Sequence, residues 1–182
     1  MPYITRIGGN IGKWAAIISL VVLIAGILYG ISNPSLKALE QNKDLEKVTR
    51  LSNAWQMIAI YMNNTSVMIL LYTLSIVIIP GLIILFNNGY IIGSVAAIGS
   101  KNVGGLTVFL LLAPHGIFEL YAFIYASAAA ISLPFNLLRR RNNVREILTR
   151  QLYGLLYAAI ILFIAAFIEA FITARIASLV TG

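Results

Sequence analysis

The sequence contains no cysteine, a single histidine and few charged residues. Charged residues make up 10% of its 182 positions, whereas soluble domains carry roughly 25%. Hydrophobic residues make up 60%, which is more apolar surface than a soluble domain of this length can hide from water. The lack of cysteine excludes disulfide frameworks, thiolate metal sites and cysteine nucleophiles. The composition therefore excludes a soluble enzyme and predicts an all-α membrane protein, a polytopic bundle of transmembrane helices.

The chain is basic, with a net charge of +7. In a soluble protein this excess would suggest a nucleic-acid partner. Here the Lys and Arg residues flank apolar segments, a pattern typical of the cytoplasmic ends of membrane spans. We therefore expect the protein to contact membrane lipid and to have no nucleic-acid partner.

Apolar segments predict about five spans in a single membrane domain. A span needs about 20 apolar residues to cross a bilayer core. The predicted spans cover residues 13–31, 67–86, 114–134 and 152–174, with short or broken helices at 88–113 forming the third.

Proline and glycine are expected to interrupt these helices. Pro80 should kink the second span, and Pro114 with Gly116 should break the fourth helix. Short apolar segments beside such breaks are also typical of re-entrant helices. If residues 88–113 re-enter the membrane instead of crossing it, the number of spans falls by one.

Charge predicts the orientation of the chain in the cell membrane. Residues 135–151 form a basic loop that we expect in the cytoplasm. Its basic residues are Arg139, Arg140, Arg141, Arg145 and Arg150. With five spans and a basic amino-terminal tail, the N-terminus is predicted to be cytoplasmic and the C-terminus extracytoplasmic.

The segment 32–66 is amphipathic and is predicted to lie outside the cytoplasm. Its apolar residues recur at spacings of three and four, which indicates a helix with one apolar face. Such a helix either lies along the membrane surface or forms a docking surface for a partner.

Few ionisable residues occur within the predicted spans. His115 and Glu119 are four residues apart, on one helix face, and Glu169 lies in the last span. With Asn64 or Asn88 as contributors, we expect them to form a buried polar cluster. Four interpretations remain open: a packing contact, a proton or ion path, a contact with a partner or lipid, and a metal site.

No known catalytic motif is present. The sequence has no HExxH, GxSxG, P-loop or GxGxxG motif. We therefore predict no catalytic residue, no cofactor and no metal. Small residues at Gly89, Gly93 and Ala97 recur every fourth position, a spacing that favours close helix packing or oligomerisation.

The chain from Asn63 onward resembles the stage II sporulation protein M family of integral membrane proteins. The most specific part is the Pro-His-Gly-Ile-Phe-Glu segment at 114–119. The other parts are Asn63-Asn64 before a span, Asn88-Gly89-x-x-x-Gly93, and Ile168-Glu169-Ala170-Phe171 in the last span.

The resemblance implies a five-span, all-helical protein that acts as a membrane scaffold. The namesake member of the family works with two peptidoglycan-degrading partners during engulfment. We accordingly expect a non-catalytic scaffold that organises partner proteins or lipid, as a homo-oligomer or with membrane or envelope proteins. The alternative is a small transporter or channel component with a proton or cation site at Glu119 or Glu169. A metal-dependent intramembrane enzyme is the third hypothesis.

Overall fold

The computed structural model describes residues 9–35, 52–139 and 143–181. Five long helices lie within these ranges and are apolar enough to cross a membrane. The prediction of an all-α polytopic bundle is thus confirmed, and the described residues contain no strand. The elements are α1 (Gly9–Ser32), α2 (Asn53–Ser75), α3 (Ile79–Val103), α4 (Gly105–Arg139), α5 (Val144–Phe167), a π-helical turn (Ile168–Thr173) and α6 (Ala174–Thr181).

The helices run alternately up and down, so that α1, α3 and α5 are parallel. The parallel pairing of α1 with α3 follows from their contacts, because Gly26 approaches Phe86 while Gly30 approaches Tyr90. α2 and α3 are joined by a tight turn. The α4–α5 pair is antiparallel, because Gln151, near the start of α5, donates a hydrogen bond to the carbonyl of Ala129, in the second half of α4.

Glycines bring the backbones of α1 and α3 into direct contact. A Cβ atom on Gly26 or Gly30 would overlap the carbonyl oxygen of Phe86 or Tyr90 on α3. A Cβ on Gly93 would in turn overlap the carbonyl of Ile27 on α1. Small residues at this spacing let membrane helices approach closely and make Cα–H···O contacts. The predicted strip through Gly93 thus packs inside one chain, against a matching Gly-x-x-x-Gly pair on α1.

The main core fills the middle of the bundle. It draws residues from all five long helices, so the helices pack as one unit around a common interior. Its buried members are Leu23, Met68, Leu71, Leu85, Ala122, Phe123, Ala126, Ala158, Ile161 and Leu162.

The predicted second span, 67–86, is wrong because the chain reverses direction inside it. α2 ends at Ser75 and α3 begins at Ile79. The residues of the reversal are as apolar as the helices that flank it, so hydropathy carries no sign of a turn. Pro80 lies in the first turn of α3, where a missing backbone N–H is tolerated, instead of kinking one continuous span.

The third helix is neither short nor broken, contrary to the prediction for 88–113. α3 has 25 residues, and Gly104 alone separates it from α4. Gly104 has φ 87°, a left-handed conformation that glycine adopts without steric cost. Its N–H donates to the Ser100 carbonyl at 3.1 Å. A single residue therefore suffices to reverse the chain.

The fourth helix also differs from its prediction, since it is continuous and longer than 114–134. α4 has 35 residues and contains Pro114, Gly116 and Pro134 in its interior. Each proline deprives one carbonyl of its helical N–H donor. Membrane helices tolerate this where neighbouring helices pack around the site.

The predicted amphipathic segment 32–66 is partly a span. From Asn53 onward it belongs to α2, whereas residues 36–51 lie outside the described residues. A helical hydropathy period does not distinguish a surface helix from the first turns of a span, which explains the error.

Most of the predicted basic loop, 135–151, is also helical. Arg139 ends α4, and Arg145 and Arg150 lie in α5. Arg140 and Arg141 lie outside the described residues. Arg150 pairs with Glu146 one turn earlier on α5, so part of the charge that predicted a loop is compensated within a helix.

Candidate functional site

His115, the single histidine of the sequence, links two helices inside the bundle. His115 lies on α4 with 8% of its surface exposed. Its Nδ1 is 3.3 Å from the Thr173 hydroxyl at the end of the π-helical turn. Because the i+5 bonds of a π-helix widen the turn, this segment changes the register of the helix that continues α5. The contact holds α4 against that segment.

The two predicted glutamates lie near this histidine. Glu119 is one helical turn after His115 on α4, and Glu169 is in the π-helical turn with Thr173. Both are half-buried, and they are close enough to interact electrostatically. The structure therefore brings His115, Glu119 and Glu169 to one region between α4 and the continuation of α5. Such a cluster can hold polar groups away from lipid, and carboxyl groups in this position can exchange protons.

The two predicted asparagines bond to their own helices instead. Asn64, with 7% of its surface exposed, accepts a hydrogen bond from the Asn63 amide at 3.3 Å. The Asn88 amide donates to the Ile84 carbonyl at 2.9 Å. Over the described parts of the chain, no hydrogen bond joins either asparagine to the histidine or the glutamates.

A second buried polar cluster joins three helices and was not predicted. The Ser19 hydroxyl donates to the Ser127 hydroxyl at 3.1 Å, and Ser75 lies 3.4 Å from Ser127. Gly81 fits beside Ser75, because a Cβ at residue 81 would overlap the serine hydroxyl. Three serines on separate spans give no spacing signal, so sequence could identify them only as rare polar residues in apolar segments.

Tyrosines line the contact between α4 and α5. The rings of Tyr121 and Tyr125 stack at 6.4 Å, and Tyr125 meets Tyr157 edge-on at 5.9 Å. Gly154 makes room for this group, since a Cβ there would lie 2.7 Å from the Tyr125 hydroxyl oxygen. Aromatic pairs of this geometry stabilise helix contacts.

An open groove lies at the end of the bundle formed by the start of α2 and the end of α5. It has a volume of about 760 Å³. Its lining is mainly apolar and aromatic, with an amide and a guanidinium among the polar groups. It includes Asn53, Phe167, Phe171, Ile172 and Arg175.

The polar cluster contains residue types that can bind metal, a histidine and two glutamates. Across residues 9–35, 52–139 and 143–181, no group of three or more His, Cys, Asp or Glu residues is arranged to hold a metal ion. A catalytic zinc ion takes three protein ligands. The arrangement of the cluster suits packing or proton exchange better than metal binding.

Comparison with known proteins gives one family. The model of the family described as stage II sporulation protein M matches residues 15–174. No match was found among curated proteins or among solved structures. The matched residues include the second, third and fourth candidate spans, most of the first and fifth, and the cluster of His115, Glu119 and Glu169. The chain is a multi-pass membrane protein, and it belongs to the stage II sporulation protein M family.

Proposed function

We propose that this protein is a non-catalytic membrane scaffold that organises partner proteins or lipid. The observation that carries the proposal is the groove beside the start of α2. It is open, apolar and aromatic, and it lies at a helix end, where a segment of another protein can reach it. Small-molecule sites, in contrast, enclose most of their ligand.

The polar cluster supports the same proposal. His115 is bonded to Thr173 inside the bundle, and the groups around it connect α4 to the continuation of α5. Contacts of this kind keep membrane helices in a fixed arrangement. A fixed bundle with a groove at one end suits a scaffold.

The proposed orientation places the N-terminus in the cytoplasm and the groove outside it. Lys13, Arg139, Arg145 and Arg150 lie at one end of the bundle, which we call the basic end. Basic residues at span ends favour the cytoplasmic side. The groove lies at the opposite end, so its partner would be a membrane or envelope protein.

Native mass spectrometry of the protein, extracted gently from its own membranes, tests the proposal. We expect a second protein bound in stoichiometric amount. Ile172→Ala, in the groove, should reduce its occupancy about fivefold if Ile172 is an anchor of the interface. Ile160→Ala is the matched control, because Ile160 is an exposed isoleucine on α5 outside the groove.

Glu119→Gln separates the scaffold from a proton or cation path. A scaffold should keep its partner when the Glu119 carboxyl group is replaced by an amide, because Glu119 does not line the groove. A homo-oligomer of the unmodified protein that carries only lipid or ions would contradict a scaffold for partner proteins. Loss of ion flux in Glu119→Gln liposomes would then identify a transporter.

A further inference from the structure

The turn between α2 and α3 is tight and bonded within itself. The Ile79 N–H donates to the Val77 carbonyl at 2.9 Å, across Ile78. Ile78 has φ 67° and ψ −71°, the backbone of a γ-turn and a strained one for a β-branched residue. The Val77 and Ile78 N–H groups donate to Leu74 and Ser75. A turn surrounded by hydrocarbon needs such internal bonding, because no water can replace it.

The surface of this turn is apolar. Val77 and Ile79 expose 68% and 69% of their surfaces, and every residue from Ile76 to Phe86 is apolar, proline or glycine. Turns that face water are rich in polar residues. In the α2–α3 hairpin the order is reversed, because its asparagines, Asn63, Asn64, Asn87 and Asn88, lie away from the turn, whereas Ser75 beside the turn is buried.

The turn stops short of the basic end of the bundle. Ile78 packs against a cluster that contains Ala15 of α1 and Ile131 of α4. From Ile131, α4 continues to Arg139, a further distance of about 12 Å at about 1.5 Å per residue. The end of α4 therefore extends about two helical turns past the α2–α3 turn, and Lys13 on α1 lies just beyond Ala15 in the same direction.

Basic side chains lie on the two helices that extend beyond the turn. Lys13 on α1 and Arg139 on α4 are both exposed, and these are the helices that flank the turn. Arg145, on α5, adds a further exposed charge at the same end. Among the described residues at this end the only carboxylate is that of Glu146, which is paired with Arg150.

We propose that the α2–α3 turn ends inside the hydrocarbon of the membrane and that an anionic phospholipid binds below it, beside the end of α4 and the start of α1. The acyl chains cover Val77 and Ile79, and the phosphate contacts Lys13 and Arg139. Exposed apolar side chains with basic residues nearer the end of the bundle match the two parts of such a lipid. This site lies at the end of the bundle away from the groove and does not depend on the scaffold role.

The depth of the turn can be measured directly, because the chain contains no cysteine that would need removal. A nitroxide spin label is placed on Val77→Cys in lipid vesicles, with Ile160→Cys as the membrane control and Arg145→Cys as the water control. At Val77 we expect high accessibility to oxygen and low accessibility to a water-soluble nickel chelate, as at Ile160. Accessibility to the nickel chelate equal to that at Arg145 would overturn the proposal.

Lipid binding is tested by native mass spectrometry from nanodiscs of phosphatidylglycerol or of phosphatidylcholine. The unmodified protein should retain phosphatidylglycerol preferentially. Lys13→Ala and Arg139→Ala should each weaken its retention about fivefold. Lys101→Ala removes an exposed charge at the opposite end and should leave retention unchanged.

Equal retention of both lipids would overturn the proposal, and so would unchanged phosphatidylglycerol retention in the Lys13→Ala Arg139→Ala double variant. Both substitutions are at exposed side chains, so the bundle should fold normally. Bound partner protein, measured for the same variants after gentle extraction from their own membranes, should be unaffected by them. A failure here is thereby distinguished from a failure of the scaffold proposal.

Discussion

His115 Nδ1 and the Thr173 hydroxyl lie 3.3 Å apart and connect α4 to the π-helical turn after α5. Thr173→Val removes this hydroxyl at nearly constant volume and leaves the buried imidazole without that partner. We expect the free energy of unfolding to fall by about 0.6–2 kcal/mol, the range of hydrogen bonds between membrane helices. The measurement is unfolding in mixed micelles, followed by circular dichroism.

Thr73→Val is the matched control for this change. Thr73 is exposed, and its hydroxyl donates to the Ile69 carbonyl of its own helix at 2.8 Å. Its substitution should change the unfolding free energy little. Equal losses in the two variants would show that the contact between His115 and Thr173 contributes no stability of its own.

Gly93 and Gly116 should respond in opposite directions to the same substitution. Gly93→Ala places a methyl group against the Ile27 backbone, which cannot move aside without separating α1 from α3. We expect a loss of about 1–3 kcal/mol. A Cβ on Gly116 would meet nothing within 4 Å, so Gly116→Ala should be neutral or stabilise by up to about 1 kcal/mol through helix propensity. Unfolding curves of both variants that shift in the same direction would contradict the glycine contact.

Gly154 and Tyr125 should be energetically coupled. In Gly154→Ala the new methyl group would lie 2.7 Å from the Tyr125 hydroxyl oxygen, so the tyrosine must shift. Tyr125→Phe removes that oxygen and relieves part of the overlap. In a double-mutant cycle, Gly154→Ala should cost at least about 0.5 kcal/mol less in the Tyr125→Phe background. An identical cost in both backgrounds would place the strain elsewhere.

Chelation should not destabilise the protein. Among the described residues no three potential metal ligands converge, and a structural zinc site would need four. The midpoint of thermal unfolding should therefore be the same with and without EDTA. A lower midpoint in EDTA, together with the loss of that response in His115→Ala, would restore the metal interpretation of the cluster.

The sequence predicted the helix content and the number of spans because both follow from the length of apolar segments. It did not predict where α2 ends, because Ile76, Val77 and Ile78 form a turn from residues as apolar as a helix. A γ-turn of this kind has no composition signal, whereas the Gly104 turn does. The error in the second span displaced the predicted third helix with it.

The sequence predicted only those residues of the candidate site whose types are rare in membrane spans. His115, Glu119 and Glu169 stand out because ionisable residues are rare in spans, and the structure places all three in one region. Thr173 and the three serines are ordinary in membrane helices, so only the packing of distant segments identifies them as partners. Pro114 predicted a break, yet α4 continues through it, because surrounding helices decide whether a proline interrupts a membrane helix.

The glycine contact between α1 and α3 also constrains how the chain is assembled during synthesis. α1 leaves the ribosome before α3, but the carbonyls against which Gly26 and Gly30 pack belong to residues 86 and 90. Between insertion of α1 and arrival of α3, these glycines lack their partner helix. α1 therefore reaches its final position only after the α2–α3 hairpin has entered the bilayer, and an insertase or chaperone would meet α1 with its glycine face uncovered.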